Sequence, residues 1–140
     1  MQPVVVFPLH DKDGGMLLHL RKILPDLKKI FEKAVISITP PTLELQKGSV
    51  ENLSKDPFFE IVYNSPGTQV GDHFLAGFNA AATKCKPEQL LHLCTIDRLA
   101  YILEGEHKSE FFQDLIWLEK QRHPVLFQRS PKAWSTHPKN

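Results

Sequence analysis

Along the 140-residue chain, short apolar runs alternate with longer stretches whose apolar residues recur every three or four positions. Val4-Val5-Val6-Phe7 is a continuous, mostly β-branched run ended by Pro8, the pattern of a strand buried on both faces. The polar loop His10-Asp11-Lys12-Asp13-Gly14-Gly15 follows. Leu17, Leu20, Ile23, Leu24, Leu27, Ile30 and Phe31 then mark one apolar helical face. Asp13 is placed to cap that helix through the free N–H groups of its first turn. Pro25 is placed to kink it, since proline removes one backbone hydrogen bond. Ala34–Thr39 reads as a second strand stopped by Pro40-Pro41, and residues 42–55 as a weakly amphipathic helix. Phe58–Tyr63 reads as a third strand, closed by the turn Asn64-Ser65-Pro66-Gly67. From Asp72 to Cys85 the spacing of Phe74, Phe78, Ala81, Ala82 and Cys85 predicts a helix. Leu90–Ile96 reads as a fourth strand with Asp97 at its end, Ser109–Arg122 as a helix, and Val125–Gln128 as a short fifth strand.

Alternation of strand and helix implies βαβ crossovers and a mostly parallel sheet with helices on both faces, an α/β three-layer fold. The crossovers predict strand order 3-2-1-4, with the fifth strand added, in one domain over residues 1–128. Leu20, Ile23, Leu27, Val35, Ile36, Ile61, Val62, Phe78, Leu91 and Leu93 are the expected core. The tail Arg129–Asn140 is irregular and polar and reads as an interrupted continuation of a longer chain. Trp134 within it reads as an interface residue, and Trp117 as core.

Composition narrows the function classes. Seventeen basic residues against 16 acidic ones imply no general field for a nucleic acid. No apolar run approaches the ~20 residues of a membrane span, and the first nine residues carry no secretion-signal pattern, so a cytoplasmic location is expected. Cys85 and Cys94 have no metal-knuckle or redox spacing and read as structural thiols. The seven histidines lack the i, i+4 spacing of a helical zinc site, and His92, within an apolar strand, reads as a core histidine. Asp72-His73 has no nucleophile placed to join it.

In open parallel sheets ligands bind beyond the carboxyl ends of the strands, where strand order reverses. His10, Asp11, Thr39, Asn64, Asp97 and Arg98 are the residues expected there. Neither phosphate-loop motif, GxGxxG or GxxxxGK[ST], occurs. Asp97 ends an apolar strand, so its carboxylate can hold a divalent ion against phosphate oxygens, or lie at the positive start of the helix that follows.

The stretches Val4–Asp11, Val35–Thr39, Ile61–Asn64, Gly67–Ala82 and Leu90–Asp97, with His123–Arg129 after them, resemble in pattern and order the nucleotide-sugar-binding half of GT-A-fold glycosyltransferases. That resemblance implies a protein that binds a nucleoside diphosphate sugar and transfers the sugar to an acceptor. It implies that Pro8, His10 and Asp11 line the base and ribose pocket. It also implies that Asp97 stands in the family's Asp-x-Asp position, binding Mn²⁺ or Mg²⁺ and the diphosphate, with Arg98 or Arg129 neutralising the leaving group. Thr95 and Leu99 flank Asp97 where the family's second acid would stand, so that acid is missing. The alternative reading is therefore a non-catalytic α/β interaction or scaffold domain that lacks the metal motif.

Overall fold

A computed structural model describes residues 1–126 and residue 131. The elements run β1 (Val4–Leu9), α1 (Gly15–Ile30), β2 (Lys33–Ile38), α2 (Pro40–Leu45), α3 (Lys47–Ser54), β3 (Phe59–Tyr63), α4 (Val70–Lys84), β4 (Leu91–Leu93), α5 (Ile96–Glu104) and α6 (Lys108–Leu118). The four strands form one all-parallel sheet in the order β3-β2-β1-β4, as the crossovers predicted. Valine-rich β1 and β2 lie at its centre and are buried along almost their whole length, as their unbroken apolar runs require.

The two faces of the sheet are covered unequally. On one, Val5, Phe7, Leu9, Ala34, Ile36 and Ile38 pack beneath α1, α3 and α5 in the main core. On the other, Val4, Val6 and Val35 meet α4. Gly77 lets α4 come down onto the sheet, since a Cβ there would stand 3.1 Å from both Ser37 Cβ and Val6 Cγ1. Ion pairs tie the outer helices on, Lys108 to Asp26 at 2.6 Å and Lys28 to Asp56 at 2.6 Å.

Several elements differ from the sequence reading. Helix α1 runs on through Pro25, whose missing N–H leaves the Arg21 carbonyl without its helical donor. Residues 40–54 form two short helices, with Pro40-Pro41 opening the first rather than only stopping a strand. Strand β4 has three residues. Ile96 belongs instead with Leu99, Ala100 and Leu103 on the buried stripe of α5, so Asp97 lies in that helix's first turn. Because β4 is the sheet's edge, Leu93 is 46% exposed and Phe78, above it on α4, is 40% exposed; both were expected to be core. Leu91, Ile61 and Val62 are half-buried. Trp117 is 50% exposed on the outer side of α6.

The fifth strand is not formed by Val125 and Leu126, and Phe127 and Gln128 lie outside the described residues, as do Arg129 and Trp134. Chirality gives a reason. The step from β3 to β4 carries α4 on the second face, so a further parallel strand beyond β4 needs its crossover on that same face to be right-handed. Helix α5 packs instead against α1, on the first face.

Candidate functional site

Strand order reverses between β1 and β4, so the ends of these two strands flank the sheet's switch point. The loop after β1 enters α1 through Gly14, held at φ +84°. Asp11, only 3% exposed, spans that entry. Its Oδ1 accepts the Gly14 N–H at 3.0 Å and its Oδ2 the Leu17 N–H at 2.8 Å, while Asp13 accepts the Gly15 N–H at 3.0 Å. The chief cap of α1 is thus Asp11 and not Asp13. Two carboxylates already occupy the positive end of the helix, the place a phosphate would otherwise take.

Behind this loop runs a chain of hydroxyls. The Asp11 N–H donates to Thr42 Oγ1 at 2.7 Å, Thr42 meets Thr39 Oγ1 at 2.9 Å, and Thr39 meets His10 Nδ1 at 2.9 Å. The chain fixes the exposed imidazole of His10 at the lip of a hollow of about 450 Å³, which Asp11, Lys12, Asp13, Met16 and His19 also line. Asn64 donates to Ser37 Oγ and to the Ile38 carbonyl, both at 2.9 Å, which closes the end of β2.

Across the switch point, α5 follows its N-cap residue Thr95, and among the described residues no side chain caps it. Asp97 and Arg98 are exposed in its first turn. Arg98 lines a second, larger groove of about 1340 Å³ along β4. Asp97 and Pro8 line neither hollow. His10 and Asp11 thus line one hollow and Arg98 the other. The pattern of residues did not single out Thr42, which has no exposed surface, or the buried Nδ1 of His73 and Oγ1 of Thr95, which have no hydrogen-bond partner among the described residues. Only tertiary placement reveals these.

The described residues do not fit a resident divalent metal. Both oxygens of Asp11 are taken by amides, Asp97 has no acidic neighbour at metal-ligand spacing, and no group of three His, Cys, Asp or Glu able to hold a metal stands together among the described residues. His92 sits between the rings of Phe31 and Phe111, where desolvation holds its pKa below the ordinary histidine value. Burial raises the thiol of Cys94 and, with help from Glu32, that of Cys85, which disfavours the reactive thiolate. No described helix is long and apolar enough to cross a membrane. Compared with protein-family models, with curated proteins and with solved structures, the chain matches none.

Proposed function

We propose that the chain binds a nucleoside diphosphate at the switch point between β1 and β4, and through it a nucleotide sugar, as a glycosyltransferase-like protein that passes the sugar to an acceptor. One observation carries this reading. Of the two helix N-termini flanking the reversal, α1 is closed by Asp11 and Asp13, whereas α5 is uncapped and carries Arg98 in its first turn. Backbone amides at such an end, joined by a guanidinium, suit the oxygens of a diphosphate. The base and ribose would extend toward His10, whose ring is oriented by Thr39. The negative charge of Asp97 opposes the phosphates, so Arg98 has to outweigh it.

In this reading the phosphates are held without a metal, and any sugar transfer rests on positioning and on Arg98 neutralising the leaving diphosphate. Calorimetry with UDP and GDP tests it. Binding is expected at sub-millimolar concentration, weakened roughly tenfold by Arg98→Ala and strengthened by Asp97→Asn. Manganese should change the affinity by less than about twofold, as no second carboxylate helps Asp97 to hold it. Absence of heat at millimolar nucleotide favours the second reading, a non-catalytic interaction domain. What supports that reading is the capping role that occupies Asp11 and the lack of an acid beside Asp97.

A further inference from the structure

We infer that the hydroxyls of Thr42 and Thr39 hold His10 as its neutral Nε2–H tautomer, a fixed hydrogen-bond donor toward the hollow beside β1. Distance alone lets each hydroxyl in the chain donate in either direction. The buried end decides. Thr42 has no exposed surface, and its Oγ1 already accepts the Asp11 N–H at 2.7 Å. Its own hydrogen has to go to another acceptor, and among the described residues only Thr39 Oγ1, at 2.9 Å, is placed to take it. Thr39 then has one hydrogen to give. Among the described residues the only other partner of its hydroxyl is His10 Nδ1, at 2.9 Å. Nδ1 thus accepts, and the proton of the neutral ring sits on Nε2. In the reverse order Nδ1–H donates to Thr39 and Thr39 to Thr42, which strands the Thr42 hydrogen where water does not reach it. An unpaired buried hydroxyl disfavours that order by roughly five- to hundredfold.

His10 is exposed, lines the hollow of about 450 Å³, and among the described residues nothing pairs with its Nε2. With Nδ1 engaged and Nε2 protonated, the ring keeps no free lone pair for a metal ion. What it offers is one N–H, suited to an uncharged acceptor such as a carbonyl or hydroxyl oxygen. On the nucleotide reading above, the ligand group beside His10 is then an acceptor oxygen of the nucleoside, and not an amino group. Thr39 and Thr42 are positioning residues that act through the ring. His107 gives a contrast within the same chain. Its Nδ1 lies 3.0 Å from Glu110 Oε2, and an ionised carboxylate can only accept, so the Nδ1 of His107 carries a proton.

Ring nitrogen shifts in long-range ¹H–¹⁵N spectra of the nucleotide-free chain test the tautomer, at pH ~8, where an ordinary imidazole is neutral. Wild type is expected to show His10 with Nδ1 bare and Nε2 protonated, and His107 with Nδ1 protonated. Thr39→Val should shift the His10 Nδ1 resonance and let the ring sample both tautomers, whereas Thr39→Ser should keep the wild-type signature. Circular dichroism checks that both variants are folded, and where the valine variant is not, the wild-type spectrum alone decides. A neutral wild-type His10 protonated on Nδ1 overturns the inference, as does a His10 spectrum that a folded Thr39→Val leaves unchanged. Added UDP should then move the His10 Nε2 resonance while Nδ1 stays bare. UDP that shifts the Thr95–Arg98 amides but leaves Nε2 unmoved also overturns it. The expected tautomer without any binding of UDP removes the nucleotide reading and leaves the donor in place, so the two failures are distinguishable.

Discussion

Replacing Asp11 with alanine separates a structural from a ligand-binding role for the residue that the chain's pattern placed at the ligand edge. In the folded protein its carboxylate is buried and accepts two amides, at 3.0 and 2.8 Å. The Leu17 N–H lies out of reach of water, so removing its acceptor should cost about 1–3 kcal/mol. The Gly14 N–H is partly exposed and can be rehydrated, so losing that bond adds about 1 kcal/mol, as for an ordinary cap. The total is about 2–4 kcal/mol. At ~3–4 °C per kcal/mol for a chain of this size, Asp11→Ala should melt ~10 °C below wild type. Asp11→Asn keeps one carbonyl acceptor and should lose about half as much. Thermal melts by circular dichroism measure both. If Asp11→Ala melts within ~2 °C of wild type and yet no longer binds nucleotide, the carboxylate serves a ligand and the capping argument is wrong.

Core position should decide the cost of leucine truncation. Leu27, fully buried in the main core, should lose about 2–5 kcal/mol on change to alanine, whereas half-exposed Leu93 should lose under about 1 kcal/mol; urea unfolding of the pair checks this. Asp26, hydrogen-bonded by Lys108, has its pKa lowered from 3.8. The ion pair therefore stabilises the fold above pH ~4, and its contribution disappears as the pH falls through the lowered folded value. Lys108→Met should flatten the loss of stability as the pH falls below ~4 by about 0.5 kcal/mol, a small figure because both groups are partly solvated. An unchanged acid limb would show that the pair contributes nothing.

What the chain reveals by itself follows from which physical signal is local. The order 3-2-1-4 was legible because the strands alternate with helices and crossover handedness leaves few arrangements. The buried face of α1, from Leu17 to Ile30, was legible because its period is carried by six residues in sequence. The end of β4 was not. Cys94, Thr95 and Ile96 continue an apolar run that fits a strand, and only the packing of Ile96 with Leu99 and Leu103 assigns it to a helix. Asp11 and Asp13 are equally plausible caps on paper, and the turn at Gly14 with φ +84° aims Asp11 at Leu17. Phe78 and Leu93 look like core because apolar spacing does not say which strand lies at the edge. Pro8, His10 and Asp11 lie at the end of β1 or just after it, whereas Asp97 and Arg98 belong to the first turn of α5 and not to the end of β4, a division that depends on that same tertiary detail.

The most direct test of nucleotide binding at the switch point is a titration of the ¹⁵N-labelled chain with UDP, followed residue by residue in amide spectra. Binding as proposed shifts the amides of Thr95–Arg98 and His10–Gly14 together, saturates below a few millimolar, and is lost from both segments in Arg98→Ala. A titration that leaves residues 95–98 unmoved at millimolar UDP, or moves only residues remote from the ends of β1 and β4, contradicts it.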